Sequence, residues 1–290
     1  KSKVDTIYAD AEYQLTDTTD MYAEVLLSRR ETSVNGYRQF WTYVYNEDFF
    51  AGSSLSEGWR GAQWLSPTPI TDHNDDSVEV NYGRALLGFS GSLGDYSWDI
   101  SGQYSRSDGD YISDQIYQDS VQSSWFGTGS CVGTTLDRGV ACMDPRWLDA
   151  GFNAGILTAE ERAFLFGNEQ GNTEYTQWSI EGTISGPLFD APAGEVLGAL
   201  GFQYREDEIR DVPGAITLSE NAWGASAAGI TEGDDSVYAV FGEVELPLIS
   251  DVPLINNLML NASARYTDVD SYGSDTTWKV GINWEVTPTV

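Results

Sequence analysis

Two adjacent runs of strictly alternating side chains, within residues 258–286, limit what this chain can fold into more than any other feature. A period of two is that of a β-strand, in which successive side chains point to opposite faces of a sheet. Each run is about ten residues long with an aromatic residue near one end, as in tilted strands that cross a bilayer in a β-barrel. The apolar positions are Leu258, Leu260, Ala262, Ala264 and Tyr266, then Trp278, Val280, Ile282, Trp284 and Val286.

The same alternation recurs along the chain and predicts about nine antiparallel strands. The connections between them alternate strictly between short turns and long polar insertions. A barrel in an outer membrane shows this asymmetry, because its turns are short at one rim and its loops are long at the other. A soluble β-sandwich has no reason to place all its long loops at one end. We expect strands at 6–15, 21–28, 83–93, 96–105, 177–184, 196–204, 238–246, 258–267 and 278–286, and long loops at about 32–78, 107–173, 212–234 and 270–275.

The charged residues of these strands fall on the face opposite the apolar residues. The interior of a small barrel is packed with apolar or tightly paired side chains, so a broadly polar face indicates a wide lumen that is wet or filled by another domain. Glu243 and Glu245 share that face, and we expect them to pair with cations or to contact such a domain. The charged positions are Asp10, Glu12, Glu24, Arg84, Asp99, Glu181, Arg205, Glu243, Glu245, Arg265, Lys279 and Glu285.

The second long insertion carries two recognisable local structures. The segment LTAEERAFLF predicts one short helix, with Thr158 as its N-cap and Glu161 completing a capping box. Cys131 and Cys142 lie close together in a polar loop and predict a disulfide that closes it. A metal-binding pair is the alternative, but the only histidine, His73, is far away in sequence. A disulfide indicates an oxidising, extracytoplasmic compartment.

Composition and spacing exclude several classes of function. The net charge of −30 and the pI near 4.1 argue against nucleic-acid binding, since Lys and Arg total only 15 and form no basic cluster. A catalytic triad or a zinc site would have to use His73, which lies in a polar loop. Gly88, Gly91 and Gly94 are spaced as in a phosphate-binding loop, but no helix follows them, so packing is the favoured role. The sequence predicts no enzyme, no metal site and no cofactor.

The aromatic residues divide into two groups. Those on the apolar faces of the strands, such as Tyr104, Trp178 and Trp278, are typical of the aromatic girdles of membrane barrels. Those in the long insertions either pack the loops against each other or stack on a ligand such as a sugar ring or an aryl chelate. The candidate ligand-binding residues are Trp41, Tyr43, Tyr45, Trp59, Trp64, Trp125, Trp147 and Trp223.

Several of these stretches resemble one family. The run NASARYTD…YGSDTTWKVGINWEVTP (261–288) resembles a barrel hairpin of TonB-dependent outer-membrane receptors, in which ARYxD…G…TxKxGxxW precedes a further strand. The stretches YADAEYQLTDTTDMYAEVLLSRRET (8–32) and GFQYREDE (201–208) are similar to other strands of such barrels. The loop with both cysteines, DPRWLDAG and the short helix resembles an extracellular loop of larger members.

The resemblance implies an all-β fold. It would be an antiparallel up-and-down transmembrane barrel, with residues 1–290 forming about nine strands of a roughly 22-stranded barrel. It also implies a location in the outer membrane of a Gram-negative bacterium, in contact with lipid and lipopolysaccharide. Energy for import would come from the TonB complex through an N-terminal plug. The plug and the last strands of the family have no counterpart in this sequence, which is therefore expected to be the middle portion of a barrel.

The sequence thus predicts a receptor that imports a scarce nutrient, either a siderophore-type metal chelate or an oligosaccharide. Two alternatives stay open. A passive porin-like channel would have the same strands without a plug, and a soluble, secreted carbohydrate-binding β-sandwich would bury its uncharged faces against each other. The strong acidity disfavours an anionic ligand unless a metal bridges it to the protein.

Overall fold

The computed structural model describes residues 1–36, 43–45, 63–65, 75–124, 129–147 and 149–287. Its strands are β1 (Ser2–Thr16), β2 (Thr19–Asn35), β3 (Tyr43–Tyr45), β4 (Gln63–Leu65), β5 (Asp75–Leu93), β6 (Tyr96–Ile116), β7 (Phe166–Ala191), β8 (Gly194–Val212), β9 (Thr231–Val252), β10 (Ile255–Val269) and β11 (Gly273–Glu285). Four short helices are present: α1 (Gln118–Ser124), α2 (Ala150–Asn153), α3 (Ala159–Leu165) and α4 (Ala215–Leu218). None of these helices in the described part of the chain is long and apolar enough to span a membrane.

Nine strands form one antiparallel sheet in the order β1-β2-β5-β6-β7-β8-β9-β10-β11, and β3 pairs with β4 in a separate two-stranded sheet. The strand number, the up-and-down order and the antiparallel pairing predicted from alternation are confirmed. The sheet is not closed into a barrel, since β1 and β11 do not pair with each other.

The strands run further than alternation predicted. β6 continues to Ile116 and pairs with β7 as far as Phe166, within the stretch 107–173 for which the sequence pattern predicts a loop. At the other rim, β7 continues through Pro187 to Ala191, so the turn before Gly194 is shorter than expected. We call the part of the sheet whose strands carry the alternating apolar side chains the apolar belt. Beyond this belt both faces of a strand meet water, so apolar and polar residues no longer alternate in the sequence, although backbone pairing continues.

One cross-strand row shows how the strands are staggered. The row follows directly paired residues from one strand to the next and starts at Thr19, the first residue of β2. Six strands further along the sheet it reaches Ala264, which lies about nine residues beyond the first residue of β10. With a rise of ~3.3 Å per residue and a strand spacing of ~4.8 Å, this stagger corresponds to a tilt of about 45°. Strands in closed barrels tilt by roughly 35–45°, so the sheet has the stagger of a barrel wall.

The apolar face ends abruptly at a row of aromatic residues. The Trp178 indole lies beside Tyr204, with ring centroids 4.8 Å apart, and both donate hydrogen bonds of 3.1 Å to Glu206, which lies beyond them on the same face. The Tyr266 hydroxyl likewise donates to Asp268 at 3.3 Å. Rings against an apolar belt with their polar atoms turned towards charges are typical of a membrane–water interface.

Beyond these rings the same face becomes charged. Arg29 contacts Glu31 at 2.7 Å and Glu79 at 2.8 Å, and Arg106 contacts Glu174 at 2.8 Å. These pairs are exposed to solvent, so they contribute little to stability. They mark the limit of the belt, and they lie on the side of the long connections.

The buried apolar core lies outside the sheet. Eleven residues form one buried cluster: Ile116, Val121, Cys131, Leu136, Cys142, Trp147, Phe152, Leu157, Phe164, Leu165 and Phe166. All belong to the connection between β6 and β7 or to the strand ends that flank it. The sheet exposes large apolar side chains on its outer face instead, for example Leu200 at 58% and Trp278 at 76%.

Candidate functional site

The polar face of the sheet carries several ion pairs and hydrogen bonds between side chains of different strands, and we call this face the polar wall. The Arg84 guanidinium contacts Glu24 at 2.6 Å on the neighbouring strand. The Tyr22 hydroxyl donates to Asp99 at 2.8 Å, across β5. These contacts link β2, β5 and β6 on one face, as the alternation of charged residues predicted. The wall therefore offers hydrogen-bonding groups without a large uncompensated charge at these points.

A second cluster on the polar wall surrounds Asp207 on β8. Its carboxylate accepts hydrogen bonds from the Tyr175 hydroxyl at 2.5 Å and the Gln177 amide at 2.6 Å, and it pairs with Arg205 at 2.8 Å. Tyr175 and Gln177 lie on β7, beside β8. The three donors hold Asp207 in one orientation, and this cluster lies towards the long connections.

A third cluster joins β8 to β10. Arg265 donates to the Gln203 side chain at 2.6 Å, and its guanidinium lies 5.3 Å from the centre of the Phe241 ring. Gln203 in turn donates to Glu181 at 3.2 Å. Phe241 covers Gly201, where any side chain would collide with the ring. Stacking and hydrogen bonding together fix the cation against the wall.

The two large connections on the far rim are joined into one body, which we call the cap: residues 117–165 and 213–223, as far as they are described. Gln118 N–H donates to the Asn221 carbonyl at 2.8 Å, and Trp223 N–H donates to the Ile116 carbonyl at 2.8 Å. The Asn221 side chain accepts from Asp119 N–H at 2.8 Å. Arg138 pairs with Asp119 and lies 4.1 Å over the Tyr117 ring. The cap therefore spans the connections β6–β7 and β8–β9.

Part of the cap contacts the polar side of the sheet. Glu169 on β7 shares a face with Glu181, because their positions differ by an even number and the strand between them is regular. Glu169 is buried, and its carboxylate accepts hydrogen bonds from Thr217 N–H at 2.9 Å and from the Thr217 hydroxyl at 2.6 Å. Gly167, on the same face, is covered by Tyr117 and Ile216. The Thr217 segment of the cap thus contacts the polar face of β7, whereas Ile116 and Phe166, at positions of the opposite parity, are buried in the cap core.

The disulfide predicted from the sequence is confirmed. Cys131 and Cys142 are bonded, with their Cα atoms 5.7 Å apart, and both are buried in the cap core. Leu136, within the loop that the disulfide closes, also packs into that core. The Asp144 carboxylate accepts from Cys131 N–H at 2.9 Å. Hydrogen bonds from Ser130 and from this N–H lower the pKa of Asp144.

The short helix predicted at 157–166 is confirmed as α3, with Thr158 as N-cap and both hydrogen bonds of the capping box present. Glu161 is 2% exposed. Its carboxylate accepts from Thr158 N–H at 2.8 Å, from Arg146 N–H at 3.0 Å, and from the Arg146 side chain at 2.9 and 2.8 Å. Burial alone would raise the pKa of Glu161, but the hydrogen bonds and charge of Arg146 and the N–H of Thr158 outweigh it and lower the pKa.

Replacing Glu161 by glutamine should destabilise the cap by about 2 kcal/mol, because one oxygen acceptor becomes a donor facing Arg146. The folded-state pKa lies below the ordinary 4.5, so the carboxylate stabilises the cap fully above that pH and stops doing so as the pH falls further. Amide exchange in 146–165 should therefore accelerate on acidification in the wild type and depend less on pH in the variant. Glu160→Gln, at the exposed neighbouring residue, is the matched control. Identical acid profiles for the wild type and Glu161→Gln would contradict the assignment.

The structure places two of the eight candidate aromatic residues in the cap. Trp147 is 3% exposed, and its indole N–H donates to the Ser124 carbonyl at 2.8 Å. Trp223 is partly buried against the same core. Both positions agree with loop packing, the first of the two roles considered for these residues. Tyr43, Tyr45 and Trp64 lie in the paired strands β3 and β4, and Trp41, Trp59 and Trp125 lie outside the described residues.

The described residues contain no group of three or more His, Cys, Asp or Glu side chains that is suited to hold a metal ion. His73 lies outside them. Gly88 packs under the Tyr22 ring within a regular strand, as a structural glycine does. Glu243 and Glu245 line an open groove of about 620 Å³ near the short turns, together with Glu195 and small residues of β6–β8.

Sequence patterns predicted neither of two important parts of this site. The contact of Glu169 with α4 joins segments about fifty residues apart, and neither segment shows helical or strand periodicity in that region. The cluster around Asp207 depends on strand register, which is set by the whole sheet. Charge alternation identified the face but not which side chains meet.

Comparisons with known proteins agree with this architecture. A family model described as "TonB dependent receptor-like, beta-barrel" matches residues 11–290. The RagAB peptide transporter superposes with a TM-score of 0.57 at 9% identity, over 98% of this chain and 30% of that chain. A mutant ferric enterobactin receptor from Pseudomonas aeruginosa, in complex with enterobactin, gives 0.50 at 14% identity over 99% and 32%. The chain therefore spans about a third of the length of these structures. No curated protein matches the sequence.

Proposed function

Because the chain belongs to the TonB-dependent receptor family, we propose that it forms part of the barrel of an outer-membrane receptor that imports a scarce nutrient. Members of this family are outer-membrane proteins of Gram-negative bacteria, and their relatives among solved structures are receptors and transporters. In this proposal the apolar belt faces lipid and the polar wall faces the lumen. The charged residues beyond the aromatic row, such as Arg29 and Arg106, meet the headgroup region and lipopolysaccharide.

The observation that carries the proposal is the contact between the cap and the polar wall. Glu169, Gly167 and Thr217 dock the cap on the polar face, beyond the Asp207 cluster. A solute that moves along this face from the rim of the long connections meets the cap before it meets Asp207. A cap with its own buried core and disulfide is a stable surface for capturing a ligand. A passive channel has no need of such a body on its lumen side.

For the cargo we propose a siderophore-type metal chelate or an oligosaccharide. The Asp207 cluster presents hydroxyl, amide and guanidinium groups beside a carboxylate, and such groups bind polyhydroxylated or chelate ligands by hydrogen bonds. The net charge of −30 disfavours a strongly anionic ligand without a bridging metal. Residues 46–76, 108–172 and 212–234 would supply the first contacts, with Trp41, Tyr43, Tyr45, Trp59, Trp64 and Trp125 as stacking candidates and Trp147 and Trp223 supporting them.

The family implies interaction with TonB in general, and we propose that energy reaches the barrel through a plug in the complete receptor. Charged residues that line the groove near the short turns, among them Glu243 and Glu245, are then available to contact a domain inside the lumen. The chain's own part in transport is to provide the wall and the cap. It performs no catalysis in this proposal.

The proposal is tested by uptake measurements on cells that carry the complete receptor. Accumulation of radiolabelled ferric chelates and of labelled oligosaccharides is measured with and without a protonophore, after iron-limited growth and after growth on glycans. We expect saturable uptake of one cargo class that stops when the protonophore is added. Uptake that is unsaturable and insensitive to the protonophore would establish the passive-channel alternative. Uptake of neither class under either growth condition would overturn both proposed cargoes.

A further inference from the structure

One strand of the sheet extends past its neighbour and leaves an unpaired edge. On β9, Val237 pairs with Val269, the last residue of β10, and Asp270 N–H donates to the Ser236 carbonyl at 3.0 Å. β9 begins five residues earlier, at Thr231, and those residues pair only with β8. We call residues 231–235 the β9 edge. It lies at the rim of the long connections.

The register determines which backbone groups this edge presents. Because Ser236 bonds to Asp270, its backbone points towards β10, and alternate residues of an antiparallel strand point the same way. Asp234 and Glu232 therefore direct their N–H and C=O groups away from β8. In the described part of the chain these outward-pointing backbone groups have no hydrogen-bond partner, and both residues are exposed. Such a row of free donors and acceptors is a template for one more strand.

The side chains along the edge define the partner. Glu232 and Asp234 lie on one face, next to Glu208 on β8. Arg210 lies 3.5 Å from Glu232, so one cation faces three carboxylates. On the other face Gly233 has no side chain, and nothing lies within 4 Å of where a Cβ would be. A strand added here would set its side chains alternately beside two carboxylates and over an open glycine. Basic residues suit the first positions, and bulky residues suit the second.

We propose that the β9 edge binds an extended cationic peptide, which adds to the sheet as a further strand by backbone hydrogen bonds to Glu232 and Asp234. Strand addition supplies the affinity, and the alternation of carboxylates with an open glycine supplies the preference for alternating basic and bulky residues. Asp235 keeps the base of the edge in place, since it accepts from Ser271 N–H at 3.1 Å and from the Ser271 hydroxyl at 2.7 Å. The proposal does not depend on the nature of the imported cargo.

The test measures binding of a fluorescent peptide of alternating lysine and phenylalanine to the complete receptor in detergent micelles. We expect saturable binding. The affinity should fall about tenfold when the backbone N–H groups of one set of alternate peptide residues are methylated, and should change little when the other set is methylated. A peptide added to the edge of a sheet forms hydrogen bonds through the N–H groups of one set of alternate residues only. The peptide cannot use the other set by shifting one residue along the edge, because phenylalanine would then lie beside the carboxylates. Equal losses for both methylated peptides, or none for either, would overturn the proposal.

Two pairs of receptor variants separate strand addition from general attraction to an acidic surface. Asp234→Lys should weaken binding about tenfold, whereas Glu208→Lys, the same charge change on the paired neighbour, should weaken it about twofold or less. Asp234→Pro removes an outward N–H without removing a bond to β8, and we expect a loss of about fivefold. Asp234→Asn, which keeps that N–H, should bind more tightly than Asp234→Pro. Equal losses for the two lysine variants, or wild-type binding by Asp234→Pro, would refute the edge as the binding site.

Discussion

Replacing Trp147 by alanine should unfold the cap while the sheet beneath it stays assembled. Trp147 is 3% exposed, its ring packs on Phe152 with centroids 5.4 Å apart, and its N–H satisfies the Ser124 carbonyl. Removing a buried aromatic side chain from a core costs about 3–5 kcal/mol. The cap core has eleven buried residues, so this loss is a large fraction of its stability. We expect a local effect, because the sheet is held by its own backbone pairing.

Hydrogen exchange on the complete receptor measures this effect region by region. Amides in 129–165 should lose protection in Trp147→Ala, and amides in 258–286 should keep theirs. Trp223→Ala is the control within the cap, where partial burial predicts a smaller loss of about 1–2 kcal/mol. Trp147→Phe, which retains a ring but not the N–H, should fall between the wild type and alanine. Full protection of 129–165 in Trp147→Ala would show that the cap core does not hold the cap together.

A structural loss in the cap also bears on the proposed function. If the cap captures ligand, Trp147→Ala should reduce the saturable part of uptake and leave the amount of receptor in the membrane unchanged. A cap that only fills space would leave uptake unaltered. Trp147 then acts as a residue that supports the ligand surface, without contacting the ligand.

The sheet was predictable from the sequence because each strand carries its own signal where it crosses the apolar belt. Alternation over about ten residues identifies a strand without reference to its neighbours. The α3 start was predictable for the same reason, since Thr158 and Glu161 form a capping box within four residues. Cys131 and Cys142 were also close enough in sequence for their bond to be predicted. Local patterns specify local structures.

What the sequence did not reveal depends on contacts between distant segments. Above the belt, residues such as Tyr111 and Gln170 no longer alternate, so the pattern predicts the end of β6 too early and the start of β7 too late. The docking of Thr217 on Glu169 gives no local pattern in either segment. The β9 edge follows from the relative lengths of β9 and β10, and only the register shows it. Register is a property of the assembled sheet.

The assignment of the two faces is tested by an arginine placed on each. Leu200 on β8 is 58% exposed on the apolar face, four residues before Tyr204, and Ala199 is its neighbour on the polar face. Leu200→Arg should destabilise the assembled receptor by about 3 kcal/mol, because a cation at mid-belt lies in hydrocarbon. Ala199→Arg should be nearly neutral, since Ala199 lines the groove that contains Glu243. Urea unfolding in lipid vesicles and the yield in the outer-membrane fraction measure the difference.

The same pair distinguishes the membrane barrel from a soluble β-sandwich. In a barrel the wild-type protein requires detergent for extraction, and only Leu200→Arg lowers the yield of assembled receptor. In a sandwich the apolar face is an internal core, so Leu200→Arg would also destabilise, but the wild-type protein would be recovered without detergent. A lower yield for Ala199→Arg than for Leu200→Arg would show that the faces are reversed. The polar wall and the cap docked on it would then face lipid, and both the import proposal and its ligand surface would fail together.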